Sequence, residues 1–305
     1  MNILQVSPPK AGSFWLHTIL KNILQKKHLP LHNFIKQQPA YEQLKHRKLS
    51  FREQAGLDMM DIEEEGNFYR VSSIFREEIM DIRDYASKAT LAWTHSTFCS
   101  KSPGVLQLFD KKVIIVRDPR DRALSASRFA FTPYMQEHYP SSYTSPEEYL
   151  DGEYERLLEQ WVWFYGNYLL HHEKLDLHFI FYERLLKDFQ NELGKLLEYL
   201  DLKLTGFEKA ELEETVSFSN MKEESPRHLQ KGKSRKWVDQ LTEEQQQKAI
   251  EKAGFLMDLF GYPLTASEDS LPRFPHKISK DHLLSRLEKI DWRKLYGSPV
   301  KGSIV

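Results

Sequence analysis

Four short apolar runs limit what this chain can fold into: NILQV at 2–6, ATLAW at 89–93, KVIIVR at 112–117 and LHFIFY at 177–182. Each is unbroken rather than alternating, and rich in β-branched or aromatic residues. That is the pattern of a parallel strand covered on both faces. Helical stretches separate the runs. From Ser13 to about Gln25, residues Leu16, Ile19, Leu20, Ile23 and Leu24 form a helical stripe. DRALSASRFAF follows the third run and ERLLKDFQNELGKLLEYL the fourth. This alternation predicts βαβ units, and so an α/β fold with a central parallel sheet flanked by helices.

Two segments fit the rhythm poorly. Residues 26–88 are charged and are expected to be mostly helical or irregular. Residues 132–150, TPYMQEHYPSSYTSPEEYL, read as a loop. Long insertions at strand ends are where open α/β sheets form a substrate pocket. A single domain over 1–263 is expected, for which 305 residues at 40% hydrophobic supply ample core. Residues 264–305, with Pro272, Pro275 and a short amphipathic helix near 281–290, read as a C-terminal extension. That extension is expected near the substrate pocket, where it would affect substrate choice.

A net charge of -1 argues against wholesale binding of nucleic acid or an anionic membrane. No apolar run approaches the ~18–20 residues of a membrane span. The one cysteine, Cys99, precludes an internal disulfide and fits a reducing compartment. The N-terminus reads as neither a signal nor a transit peptide. A soluble, cytoplasmic protein is expected; its oligomeric state is left open.

Four places could carry chemistry. The first is the loop Pro9-Lys10-Ala11-Gly12-Ser13-Phe14-Trp15, between the first strand and its helix. Backbone N–H groups opening a helix form an anion nest. Yet Lys10 precedes Gly12, unlike the GK[ST] of the common phosphate loop. A plain Pro-Gly turn with a solvated lysine explains this loop equally well. Arg117 ends the third strand, with Ser125 two helical turns on. Arginine suits a bidentate grip on phosphate, but an ion pair to Asp118 or Asp121 is as natural. His95 lies just past the second strand, at the same sheet edge if the strands are parallel. A lone histidine is as readily structural. Lys231, Gly232, Lys233, Arg235 and Lys236 lie in a basic loop that could simply be a solvated face.

As an ordered set these segments resemble the 3′-phosphoadenylyl-sulfate (PAPS)-dependent sulfotransferases, over roughly residues 2–263. PKAGSFWL resembles the family's 5′-phosphosulfate loop, PKSGTTWL. VRDPRDRALSASRF is similar to its 3′-phosphate motif, and THSTF to the segment with its catalytic histidine. FIFYERLLKD, VSFSNMK and FLMDLFGYP resemble its nucleotide-side strand, adenine-side segment and terminal helix. QKGKSRKW is similar to the late RKGxxGDW motif.

The resemblance implies a P-loop-nucleotide-kinase-like fold, with 26–88 and 132–150 around an acceptor pocket. It implies PAPS as co-substrate, adenosine 3′,5′-bisphosphate (PAP) as product, and no metal. Lys10, Ala11, Gly12, Ser13, Phe14 and Trp15 would surround the phosphosulfate, Trp15 also meeting adenine. Arg117 and Ser125 would bind the 3′-phosphate, with Lys231 and Gly232 closing over it. Tyr182, Phe218 and Met221 would line the nucleotide. His95 would take the acceptor's proton, while Lys10 stabilises the bridging oxygen as the S–O bond breaks. A sulfuryl group carries less charge than a terminal phosphoryl group, so metal ligands are not needed.

Three residues depart from the family pattern. Phe14 replaces a threonine, Trp93 a lysine and Gln230 an arginine; Arg227 or Lys233 could compensate for the last. A small uncharged or cationic acceptor with a hydroxyl or amine is expected, rather than a sulfated polymer. Two other readings compete. A nucleotide kinase or NTPase with a degenerate phosphate loop would need metal and ATP. A non-catalytic nucleotide- or polyanion-binding module would bind without turnover.

Overall fold

The computed structural model describes residues 1–47, 49–51, 53–72, 74–224 and 232–296. It is a mixed α/β fold around a seven-stranded, mostly parallel sheet. The strands are β1 (Ile3–Val6), β2 (Asp58–Ile62), β3 (Asn67–Val71), β4 (Phe75–Glu78), β5 (Leu91–Thr94), β6 (Lys111–Val116) and β7 (Leu177–Phe181). Their order across the sheet is β4-β3-β2-β5-β1-β6-β7. β1 is central and parallel to both β5 and β6, with Val6 opposite Thr94 and Ile114. All four residues of β1 and of β5 are buried, as expected of strands covered on both sides.

The segment 26–88 departs from expectation, because it contributes three strands. β2 runs parallel to β5, whereas β3 and β4 pair antiparallel beyond it. Their sequences, DMMDI, NFYRV and FREE, carry charges that hid them. Those charges pair with one another: Asp61 meets Arg70 at 3.1 Å and Arg76 at 3.4 Å, and Arg76 also pairs with Glu63. An antiparallel edge can hold one solvated face, so it needs no unbroken apolar run.

Two of the three prolines of 132–150, Pro133 and Pro146, start helices rather than mark a loop. Thr132 caps the helix Pro133–His138, and Ser145 caps the helix Pro146–Leu170. Both take the first helical position, where the missing N–H costs nothing.

The chain forms two compact units. One comprises Met1–Ile115 with Glu173–Lys233; the other comprises Val116–His172 with the described residues from Ser234. In the first, the helix Ser13–Lys26 buries Leu16, Ile19, Leu20, Ile23 and Leu24 in a core that also takes Ile3, Val113, Ile180, Leu193 and Leu196. In the second, the helices Pro119–Ala130 and Glu243–Leu259 lie against the helix Pro146–Leu170. The C-terminal extension lies on that same long helix. Leu283, Leu287 and Leu295 are buried, and Trp163 stacks on Trp292 at 6.1 Å. A Cβ at Gly166 would come within 2.7 Å of Leu287, so glycine allows this contact. No described helix is long and apolar enough to cross a membrane.

Candidate active site

The first loop is shaped by two left-handed residues, Lys10 at φ 69° and Gly12 at φ 102°. Gly12 is the N-cap of the helix Ser13–Lys26, and no side chain caps that end. The space at Gly12 is closed on one side, since a Cβ there would meet the Tyr182 ring at 2.6 Å and Ile115 at 3.2 Å. Only glycine combines that backbone angle with that approach. The sheet holds the loop from below. The buried amide of Gln5, in β1, donates to the Ser13 carbonyl at 2.7 Å. Ser7 and Ser13 share a 2.7 Å hydroxyl–hydroxyl bond. The Ser13 side chain is thus engaged within the protein, and its N–H is the group turned toward the helix end.

Trp15, Tyr182, Phe218 and Met221 come together as one cluster. The Trp15 ring lies 4.7 Å from Phe218 and 5.5 Å, edge-on, from Tyr182. Its indole N–H donates to the Val216 carbonyl at 2.9 Å. Met221 is buried in the same core. Gly232, at φ 46°, approaches this cluster from the late loop, and a Cβ on it would lie 2.3 Å from the Phe218 ring. Two glycines distant in sequence therefore each require a bare backbone against one aromatic pair, Tyr182 and Phe218. Lys231, Gln230 and Arg227 lie outside the described residues.

His95 sits immediately after β5, beside the end of β1. Its Nδ1 is 2.5 Å from the Ser7 carbonyl oxygen. A carbonyl only accepts, so Nδ1 carries the proton and a neutral ring keeps its lone pair on Nε2. The Trp93 ring meets His95 edge-on at 5.4 Å and stacks on His17 at 5.7 Å. Burial, with the charge of Lys21, holds the pKa of His17 down at about 4. Trp93 also joins Phe51, Leu57 and Met59 in a small apolar cluster against which Phe14 packs. Phe14 and Phe51 have their ring centroids 4.6 Å apart. Two departures from the family pattern, Phe14 and Trp93, are thus one packed feature.

In the second unit, Arg117 follows β6 directly. It is only 6% exposed, and its carbonyl accepts the Trp161 indole N–H at 2.8 Å. Ser125 is buried on the next helix. Asp118 is claimed by a different arginine: Arg120 donates to it through Nε at 3.0 Å and Nη2 at 2.7 Å. Asp121 feels the charge of Arg117, but burial and the Asp118 carboxylate dominate and raise its pKa to about 6.

Gln5 and Arg120 escaped sequence reading, and Arg235 was read only as part of a basic loop. Gln5 is a polar residue inside a buried strand, a signal that could have marked it. Arg120 was hidden by its neighbour Arg117. Arg235 stands where RKGxxGDW has its second glycine, and it takes the left-handed angle, φ 59°, that a glycine would.

The sulfotransferase domain family matches residues 2–261. Among solved structures, a mouse sulfotransferase, SULT7A1, complexed with PAP, is similar at 20% identity and TM-score 0.55, over 84% of this chain and 83% of that one. A retinol dehydratase in a complex with retinol and PAP is similar at 16% identity and TM-score 0.57, over 89% and 83%. At these identities the likeness speaks for the shared fold. No curated protein matches the chain by sequence. The family match spans most of the chain, and the chain belongs to the sulfotransferase domain family.

Proposed function

We propose that this sulfotransferase moves the sulfuryl group of PAPS to a hydroxyl, or an amine, of a small-molecule acceptor, with His95 as general base. The single observation that carries this reading is the His95 Nδ1 contact to the Ser7 carbonyl, which leaves Nε2 as the basic atom. β1 and β5 are parallel, so His95 and the Lys10–Gly12 loop leave the same sheet edge within the first unit.

The residues present fit the co-substrate. An uncapped helix start with a left-handed Gly12 offers backbone N–H groups to the 5′-phosphate. Lys10 supplies the formal positive charge that loop amides lack and stabilises the departing bridging oxygen. Ala11, Ser13 and Phe14 contribute backbone at that site. Trp15, Tyr182, Phe218 and Met221 give an aromatic wall for the adenosine. Arg117 and Ser125 take the 3′-phosphate. His95 removes the acceptor's proton at Nε2 as the new S–O bond forms. Trp93, which meets His95, belongs to an apolar cluster with Phe51, Leu57 and Met59, and this favours an uncharged acceptor over a sulfated polymer. The proposed place of action is the reducing cytoplasm.

Transfer of labelled sulfuryl from PAPS to a panel of small hydroxyl compounds tests the reading. His95→Ala should lower kcat by roughly 10²–10⁴-fold, the usual worth of a general base, and leave PAP affinity intact. A near-normal kcat would place the base elsewhere. PAP should raise the Tm more than AMP does, because a ligand held at a hundred times its Kd adds about 2.7 kcal/mol. Equal shifts from the two would remove the 3′-phosphate site.

A further inference from the structure

We propose that Arg235 is a positioning residue for recognition of the 3′-phosphate, acting by locking the chain segment 263–269 to the helix that follows Arg117. The proposal rests on the PAPS reading above. Arg235 holds a left-handed backbone, φ 59°, that a side-chain-bearing residue adopts only when its surroundings impose it. Its guanidinium is held as well. Nη2 donates to the Ala266 carbonyl at 2.8 Å, Nη1 donates to the Glu268 carbonyl, and Asp269 stands 3.5 Å away.

The neighbouring contacts close a ring. Arg120 donates to the carbonyls of Pro263 at 2.6 Å and Leu264 at 3.3 Å, so two arginines grip one short stretch of backbone. The Arg120 guanidinium also lies 3.4 Å over the Trp237 ring. Trp237 N–H donates to Asp121 Oδ1 at 3.1 Å, and the Arg235 backbone donates to the same carboxylate. Asp121 Oδ2 is buried without a hydrogen-bond partner among the described residues. Asp121 is therefore held by residues 235 and 237, while its charge acts on Arg117. Releasing Arg235 from residues 266–268 would free the 235–237 turn, and with it the carboxylate that faces the phosphate-binding arginine.

The test uses the full chain and two probes, PAP and AMP, whose affinity ratio reads the 3′-phosphate alone. Arg235→Gly keeps the left-handed backbone without steric cost and removes the guanidinium. Arg235→Lys keeps the charge but cannot fork between two carbonyls. The PAP-to-AMP affinity ratio should fall about tenfold in the glycine variant and about threefold in the lysine variant, while AMP affinity stays within about twofold. A lowered Tm with an unchanged ratio would make Arg235 a purely structural clamp and overturn the proposal. If the glycine variant does not fold, the lysine variant reads the same ratio, and an unchanged ratio there overturns the proposal equally. A wild-type protein that binds PAP and AMP equally would overturn the PAPS reading itself and this inference with it.

Discussion

Two turns in this protein have the same local plan, strand into loop into helix, and satisfy it in opposite ways. Before the helix Ser13–Lys26 the cap is Gly12, no side chain accepts from the first N–H groups, and the first turn holds no acid. Before the helix Pro119–Ala130 the cap is Asp118, whose carboxylate accepts from the Arg120 N–H, and Asp121 lies in the first turn. The first four N–H groups of any helix need partners. At the second helix the Asp118 carboxylate takes one of them; at the first no side chain does, and the proposed 5′-phosphate would meet that end. The phosphate proposed for the second turn would accordingly be gripped by side chains, those of Arg117 and Ser125.

The largest expected effect breaks the self-satisfied turn. Arg120 is fully buried, so Asp118→Ala would strand its charge and also remove the helix cap. Breaking one half of a buried pair costs about 3–5 kcal/mol. Urea unfolding should show that loss with or without PAP. A loss below about 1 kcal/mol would mean that Arg120 is sustained by its carbonyl partners and Trp237 alone.

A smaller loss is expected at the open turn. Gly12→Ala meets a left-handed angle and a Tyr182 contact at 2.6 Å. Together these cost roughly 2–4 kcal/mol. Here, unlike at Asp118, the loss should grow when PAP is present, because the distorted loop is the proposed binding surface and PAP would stabilise the variant less than the wild type. Calorimetry on the variant decides it: wild-type PAP affinity would show that the open helix end is not where the anion sits.

The parallel centre of the sheet was legible because burial on both faces writes itself as unbroken apolar runs at β1, β5, β6 and β7. β2, β3 and β4 were not, since their charges satisfy one another across an antiparallel edge and leave no apolar signature. The open turn was readable from Gly12 and Lys10, whose order in the chain is local. Arg117 and Ser125 were readable as a motif, but the partner of Asp118 was not. Arg117 and Arg120 are chemically equal in sequence, and nothing in it shows that Arg120 pairs with Asp118 through both Nε and Nη2. The tautomer of His95 was equally hidden, because it depends on a carbonyl 88 residues away. The clamp of Arg235 depends on backbone oxygens, which sequence does not encode at all.

The smallest effect concerns acid, and there the two turns should differ in sign. His17 lies in the helix that Gly12 opens, and burial lowers its pKa from 6.5 to about 4. Asp121 lies in the helix that Asp118 opens, and burial raises its pKa from 3.8 to about 6. Below pH 6.5 the unfolded chain protonates His17 while the folded one resists, so stability is lost as pH falls from 6.5 toward 4. Below pH 6 the folded chain protonates Asp121 before the unfolded one does, so stability is gained as pH falls from 6 toward 3.8. From pH 7.5 to 5.5 each contribution is about 1 kcal/mol, and in the wild type they oppose each other. His17→Phe removes the loss, so acidification should stabilise that variant by about 1 kcal/mol relative to wild type. Asp121→Asn keeps an acceptor for the Trp237 N–H and removes the gain, so acidification should destabilise it by a similar amount. Urea unfolding at the two pH values measures both. Shifts of the same sign in the two variants would show that one of these groups does not titrate as its burial demands, and the contrast between the turns would then be one of hydrogen bonding alone.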